Sequence, residues 1–276
     1  MVSLDSPIQL RDSMGSPVDP ESMVVSTVAG AIVASAIAPM LAEPHVSSGQ
    51  VSQQLAGHHV AIVEDQGDWL LARGCDEYEG WMHRGYLTRR ASFHDTGRRI
   101  SLGCLVRSDG SRPRSLPLRA FLAPTDEVQD GEAIPAEEIR RRFPTDAAAI
   151  CQSAVELYVG TSYQWGGVTP WGADCSGLVQ SVFALHGVRL PRDAWQQARV
   201  GREGGASILD ARAGDLLFFS DRPDAHVTHV AIALGDRRIV HLALGRGGYA
   251  VEQLDADSDD YVRKLRTRFL FARSVL

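Results

Sequence analysis

The sequence predicts a multidomain chain in which small all-β barrels precede an α+β domain. Three observations predict it. Up to residue 135, short apolar runs alternate with Gly, Asp and Pro turns. An amphipathic helical period begins only after Pro144, and four strand-like apolar runs follow beyond residue 215. At 276 residues the chain has room for more than one core, since single domains usually run to about 100 to 200 residues.

In chain order, residues 1–22 carry no readable signal. Residues 23–42 (MVVSTVAGAIVASAIAPMLA) are uncharged and about as long as a membrane span, but Asp19 and Glu21 precede them and Gly30 and Pro39 dilute them. They are therefore read as buried strands of a first barrel, and no stable membrane insertion is expected. The same flanks favour a cytoplasmic location over export. The runs VASAIAPMLAEP and HHVAIVEDQGDWLLARGCDEYEGWMHRGYLT continue that barrel to residue 90, with Asp65-Gln-Gly-Asp68 as a hairpin turn. Trp69, Trp81 and Tyr86 are expected in its core. A second β module is expected over 91–135, from the runs ISLGCLVRS and LPLRAFLAP followed by the acidic loop TDEVQDGE.

The segment between Pro135 and Pro144 reads as a linker or short helix, placing the start of the third domain near 136 and its end at 276. Asp146 or Thr145 caps a helix with Ala149, Ile150, Ala154 and Leu157 on one face. DLLFFS, HVAIALG, RRIVHLAL and FLFARSVL are read as antiparallel strands. The net charge of -6 offers no basic stripe to nucleic acid. Four irregularly spaced cysteines suit neither a disulfide framework nor a metal site, and Cys75, Cys104 and Cys151 are read as small buried hydrophobes.

Cys175 differs by its setting. A Gly- and Trp-rich loop leads into Asp174-Cys175-Ser176, and GLVQSVFALHG continues with helical period, so Cys175 opens a helix. A thiol at a helix N-terminus is expected to have a lowered pKa, and the free N–H groups there can receive an oxyanion. A cysteine nucleophile needs a base, and the base an orienting partner. In HVAIALG, alternation places His229 with Ala231 and Ala233; on the next strand His241 shares a face with Ile239 and Ala243. His229 is read as base and His241 as its orienting residue, with His226 the nearest rival for base. The remaining histidines show no link to a cysteine.

In order, YQWGG, GADCSGLVQ, LPRDAWQQ, GDLLFF, HVAIALGD and IVHLA resemble the motifs of the NlpC-type cell-wall cysteine peptidases, over about residues 145–276. The resemblance implies a papain-like catalytic domain with Cys175, His229 and His241 as its catalytic set, no metal and no cofactor. It also implies hydrolysis of the γ-D-glutamyl bond to the diamino acid of peptidoglycan stem peptides. The preceding β modules look like bacterial SH3-like domains, which in similar enzymes wall off the groove and select peptides with a free N-terminal L-Ala. Tyr163, Asp174 and Ser176 match the positions that would meet its ammonium, with Tyr163 also near the oxyanion; Glu79 of the first barrel is a further carboxylate. A monomer acting on L-Ala-γ-D-Glu-diamino acid peptides is expected. The alternatives are an amidase or acyltransferase of the same fold, or a non-catalytic protein that binds wall peptides.

Overall fold

The structure is a computed structural model and describes residues 30–89, 98–108, 110–205 and 207–276. Residues 1–22, residues 23–29 of the apolar stretch and His94 lie outside the described residues. Seven antiparallel strands form the first unit: β1 (Gly30–Val33), β2 (Ile37–Leu41), β3 (Gln50–Leu55), β4 (His59–Gln66), β5 (Trp69–Arg73), β6 (Glu79–His83) and β7 (Leu87–Arg89). Their order is β3-β2-β6-β5-β4-β1-β7. The described end of the apolar stretch is thus two strands, and among the described residues no helix is long and apolar enough to cross a membrane. The expected hairpin turn closes β4 on β5, with Gln66 opposite Trp69 and Gly67 at φ 70°.

Alternation decides which side chains fill this unit. Met40, Val60, Leu70, Ala72 and Met82 point inward and are buried together. Trp69 and Trp81 are out of phase with Leu70 and Met82, so they lie half-buried on the outer face rather than in the core, and only Tyr86 packs there as expected. Cys75 is exposed on the turn after β5, not buried.

A second sheet, of order β10-β8-β9, follows: β8 (Arg99–Arg107), β9 (Arg114–Leu116) and β10 (Glu127–Pro135). Here the sequence misleads twice. The acidic segment read as a loop is strand β10, whose charges face solvent at a sheet edge and whose register shifts around Gly131 at φ 77°. The run LPLRAFLAP is strand only at its start, because Arg119 at φ 73° turns the chain back. This sheet shares a core with Leu55 and Ala56 of the first unit and with Val168 of the last.

A 3₁₀ turn at Ala136–Glu138 leads into α1 (Ile139–Arg142) and then α2 (Ala147–Leu157), which Asp146 caps by accepting the Ala149 N–H at 2.9 Å. After the small hairpin β11 (Val168–Thr169) and β12 (Gly172–Ala173) come α3 (Cys175–Leu185), α4 (Ala194–Gln197) and β13 (Arg202–Glu203). The expected strands appear as β14 (Leu216–Phe219), β15 (His229–Gly235) and β16 (Arg238–Ala243). Two unexpected elements, β17 (Gly248–Gln253) and α5 (Asp260–Thr267), precede the expected last strand, β18 (Phe269–Ser274). The sheet order is β13-β18-β14-β15-β16-β17. Helices α2 and α3 cover Val230, Ile232, Val240 and Leu242 on one face; α5 covers Ala231, Ala233 and Ile239 on the other.

Hydrogen bonds tie the first unit to the last. Gln53 Oε1 accepts the Val168 N–H at 3.1 Å, and Gln50 Nε2 donates to the Trp165 carbonyl at 2.9 Å. Gln180 Nε2 of α3 donates to Asp76 Oδ2 at 2.9 Å, and Arg192 Nε donates to Ser52 Oγ at 3.2 Å.

Candidate active site

Asp174, in extended conformation, ends β12 and caps α3: its Oδ1 accepts the Gly177 N–H at 2.7 Å. Cys175 is therefore the first helical residue, as the sequence predicts, and among the described residues its own N–H has no acceptor. Cys175 is buried and lies beside the start of β15, where the backbone amides of Val230 and Ser176 face its sulfur. The expected low thiol pKa does not follow. Burial, and then the negative charge of Asp174, push the Cys175 thiol up to about 12, against the smaller opposing pull of those two amides and Arg192.

Val230 is next to His229, so the thiol comes to the strand at the imidazole's own end. His229 Nε2 and His241 Nδ1 are 2.9 Å apart, with ring centroids 5.0 Å apart and the rings near perpendicular. Register explains the pairing: Ile232 faces Val240 across β15 and β16, which puts His241 diagonal to His229 on one face. Burial, then His241 and Arg268 beside it, hold His229 well below the usual imidazole range. Resting thiol and imidazole are thus both uncharged. His226 is in the loop before β15, near Trp195, and His186 is a satisfied core residue between the Pro144 carbonyl and Ser153.

The other predicted residues divide. Asp174 and Ser176 do lie beside Cys175, but their polar atoms are already committed. Arg192, 1% exposed, grips both Asp174 oxygens at 3.0 and 2.7 Å and reaches Ser176 Oγ at 2.9 Å. Asp174 also accepts the Gly166 N–H at 2.8 Å, which fixes the loop before Cys175. Tyr163 is half-buried and close enough to Cys175 that the thiolate's charge, after burial, raises its phenol pKa. Glu79 is not brought to the site: it is exposed on β6 and paired with Arg73 on β5 at 2.6 Å. The barrel sends the preceding residue instead, with Tyr78 Oη donating to both oxygens of Asp193 at 3.3 and 3.4 Å. Asp193 and Arg192 went unread because their roles depend on a partner in another domain. The one signal was their place in LPRDAWQQ.

Asp193 is half-buried, and desolvation raises its pKa against the pull of Arg192. Arg192 neutralises Asp174, whereas Asp193, the N-cap of α4, is in no arginine fork among the described residues. The arrangement can perform acyl transfer: a nucleophile at a helix N-terminus, a neutral base oriented by a second ring, and an acidic side chain where the barrel meets the catalytic domain.

Residues 160–265 match the NlpC/P60 family, and residues 40–87 match the bacterial dipeptidyl-peptidase SH3 domain. Over 240 residues the chain is 28% identical to the gamma-D-glutamyl-L-lysine dipeptidyl-peptidase of Bacillus subtilis, covering 78% of each protein. It is 28% identical over 270 residues to dipeptidyl-peptidase 6 of Lysinibacillus sphaericus, covering 86% of this chain and 96% of that one. The crystal structure of an NlpC/P60 family protein from Bacillus cereus superposes with a TM-score of 0.75 at 20% identity, over 90% of this chain and all of that one. The fold is therefore an SH3-like β region followed by a papain-like domain.

Proposed function

From a chain that joins a bacterial SH3 domain to an NlpC/P60 domain, we propose a cysteine peptidase that cleaves the γ-D-glutamyl-diamino acid bond of peptidoglycan-derived peptides. The observation that carries this reading is Cys175 at the start of α3, beside the amide of Val230, the residue that follows His229 of the hydrogen-bonded His229–His241 pair. His229 takes the thiol proton as sulfur attacks the γ-carbonyl carbon, so charge develops only as the bond forms. The carbonyl electrons move to an oxyanion beside the unpaired Cys175 N–H. Collapse expels the diamino acid's amine, to which His229 returns the proton, leaving a thioester. Water then gives a proton to His229, attacks the thioester, and the departing sulfur regains that proton.

The substrate class rests on the names of the relatives and on Asp193. Two relatives are named for γ-D-glutamyl-L-lysine substrates and for releasing dipeptides. An ammonium at the free end of L-Ala-γ-D-Glu would find a carboxylate at Asp193, steadied by Tyr78 from the barrel. The test is hydrolysis of L-Ala-γ-D-Glu-diaminopimelate and its lysine counterpart, each free and N-acetylated, with a Cys175→Ala control, read by mass spectrometry. Release of L-Ala-γ-D-Glu from the free-amine peptides alone, and only with Cys175 present, is the expected result. Equal cleavage of the acetylated peptides would remove the ammonium pocket, and cleavage by the Cys175→Ala chain would remove the nucleophile.

A further inference from the structure

His241 has two ring nitrogens, and the network above uses one. The other, Nε2, is fully buried and makes no hydrogen bond among the described residues. The carboxylate beside it among the described residues is Glu252 of β17, whose Oε1 is 3.5 Å away. Register puts them together: His241 pairs with Ala250 and Ile239 with Glu252, so Glu252 is diagonal to His241 on the same face. At 3.5 Å the contact is longer than a made hydrogen bond, yet within ion-pair range. Site contacts of this kind are often long in a resting structure and tighten when substrate binds.

Glu252 is held for this purpose by groups that do not touch the site otherwise. Its side chain is 6% exposed, and Arg246 grips it with a two-pronged contact, Nε to Oε1 at 2.7 Å and Nη2 to Oε2 at 2.9 Å. Arg246 is itself tied to Asp259, the N-cap of α5, at 2.6 Å. Burial pushes the Glu252 carboxyl up, but the His241 ring beside it and the Arg246 guanidinium that grips it outweigh that and hold the pKa below its usual value. Glu252 is thus a carboxylate, and a carboxylate only accepts.

From this the proton positions follow. A singly protonated His241 facing a carboxylate carries its proton on Nε2, which leaves Nδ1 a bare lone pair. Across the 2.9 Å contact, His229 must then donate from Nε2–H, and its own Nδ1 is bare. We propose that Glu252 is a positioning residue that sets both imidazole tautomers, so that the nitrogen His229 leaves free for the Cys175 proton is Nδ1. This rests on the reading of Cys175 and His229 as nucleophile and base. The chain Asp259–Arg246–Glu252–His241–His229 then runs from the cap of α5 to the thiol, and each link fixes the next.

Two measurements test it. The first is a long-range nitrogen–proton NMR spectrum of the wild-type chain with ¹⁵N-histidine, recorded without substrate. Both His229 and His241 should carry their proton on Nε2; a proton on His241 Nδ1, or on both of its nitrogens, would overturn the proposal. The second compares Glu252→Gln with Glu252→Asp in peptide hydrolysis. Glu252→Gln should lower kcat about ten- to a hundredfold with KM little changed, and shift His241 away from the Nε2–H form, while Glu252→Asp recovers part of both. Unchanged kcat and tautomers in Glu252→Gln would sink the assignment. Because the spectrum needs no peptide, a wild-type chain that hydrolyses nothing would count against the peptidase reading alone.

Discussion

At the scale of single residues, Cys175 and His229 behave as a neutral pair, because burial acts on both in the direction that removes charge. A consequence can be measured without substrate. Alkylation of Cys175 by iodoacetamide, followed peptide by peptide to separate it from the exposed Cys75, should still be accelerating at about pH 10, above the ordinary cysteine midpoint near 8.5. A rate that levels off below about pH 7 would mean a thiolate–imidazolium pair instead. The placement of Cys175, His229 and His241 was readable in the sequence, because one lies at a helix start and two at strand positions of fixed parity. It could not reveal the charge state, which depends on Asp174 and on how deeply the thiol is covered. Glu79 and Tyr78 show the same limit: both are neighbours in sequence, and only the turn at Glu77, with φ 62°, decides which of them meets Asp193.

Among elements, α3 is the one on which the site depends, and its first turn is packed from outside. A Cβ at Gly177 would lie 2.0 Å from the Gly167 carbonyl oxygen, a backbone atom fixed by the loop before the nucleophile. Alanine ordinarily favours a helix over glycine by about 1 kcal/mol. Here the clash should win, so Gly177→Ala is expected to destabilise by about 1 to 3 kcal/mol in thermal or urea unfolding and to lower hydrolysis as the loop shifts. An unchanged or higher melting temperature would show that the loop gives way freely. Helices α2 and α3 and the strands from 216 to 243 were legible because caps and apolar period agree there. β17 and α5 were not: GYAVEQ follows a Gly-rich segment, and Glu252 within it looks like a strand polar residue until its partners on β16 and after β16 are known.

For the whole molecule, three imidazoles that the fold keeps uncharged lower stability on the acid side. His58 is pushed down to about 3 by burial and then by Arg119, and burial first lowers His186 and His229 as well. Each is depressed below its unfolded value of about 6.5, so the unfolded chain binds the extra protons. Their stabilisation is present above about pH 6.5 and is lost progressively as pH falls toward the folded values. Between pH 7.5 and 5, His58 alone should cost about 1 to 2 kcal/mol, seen as a lower urea midpoint; an equal or higher midpoint at pH 5 would refute this. That β modules precede an α+β unit was legible in the sequence, whereas the seam between them was not, since Gln53, Asp76 and Arg192 make it by meeting partners far away in the chain. Arg192 is where that seam reaches the chemistry, for the guanidinium that clamps the α3 cap also leans on the Ser52 hydroxyl of the barrel. The two halves are therefore not freely exchangeable cassettes. A recombinant that borrows its barrel from another chain inherits a working helix start only if the donor brings a hydroxyl to the place of Ser52 and an amide to that of Gln53.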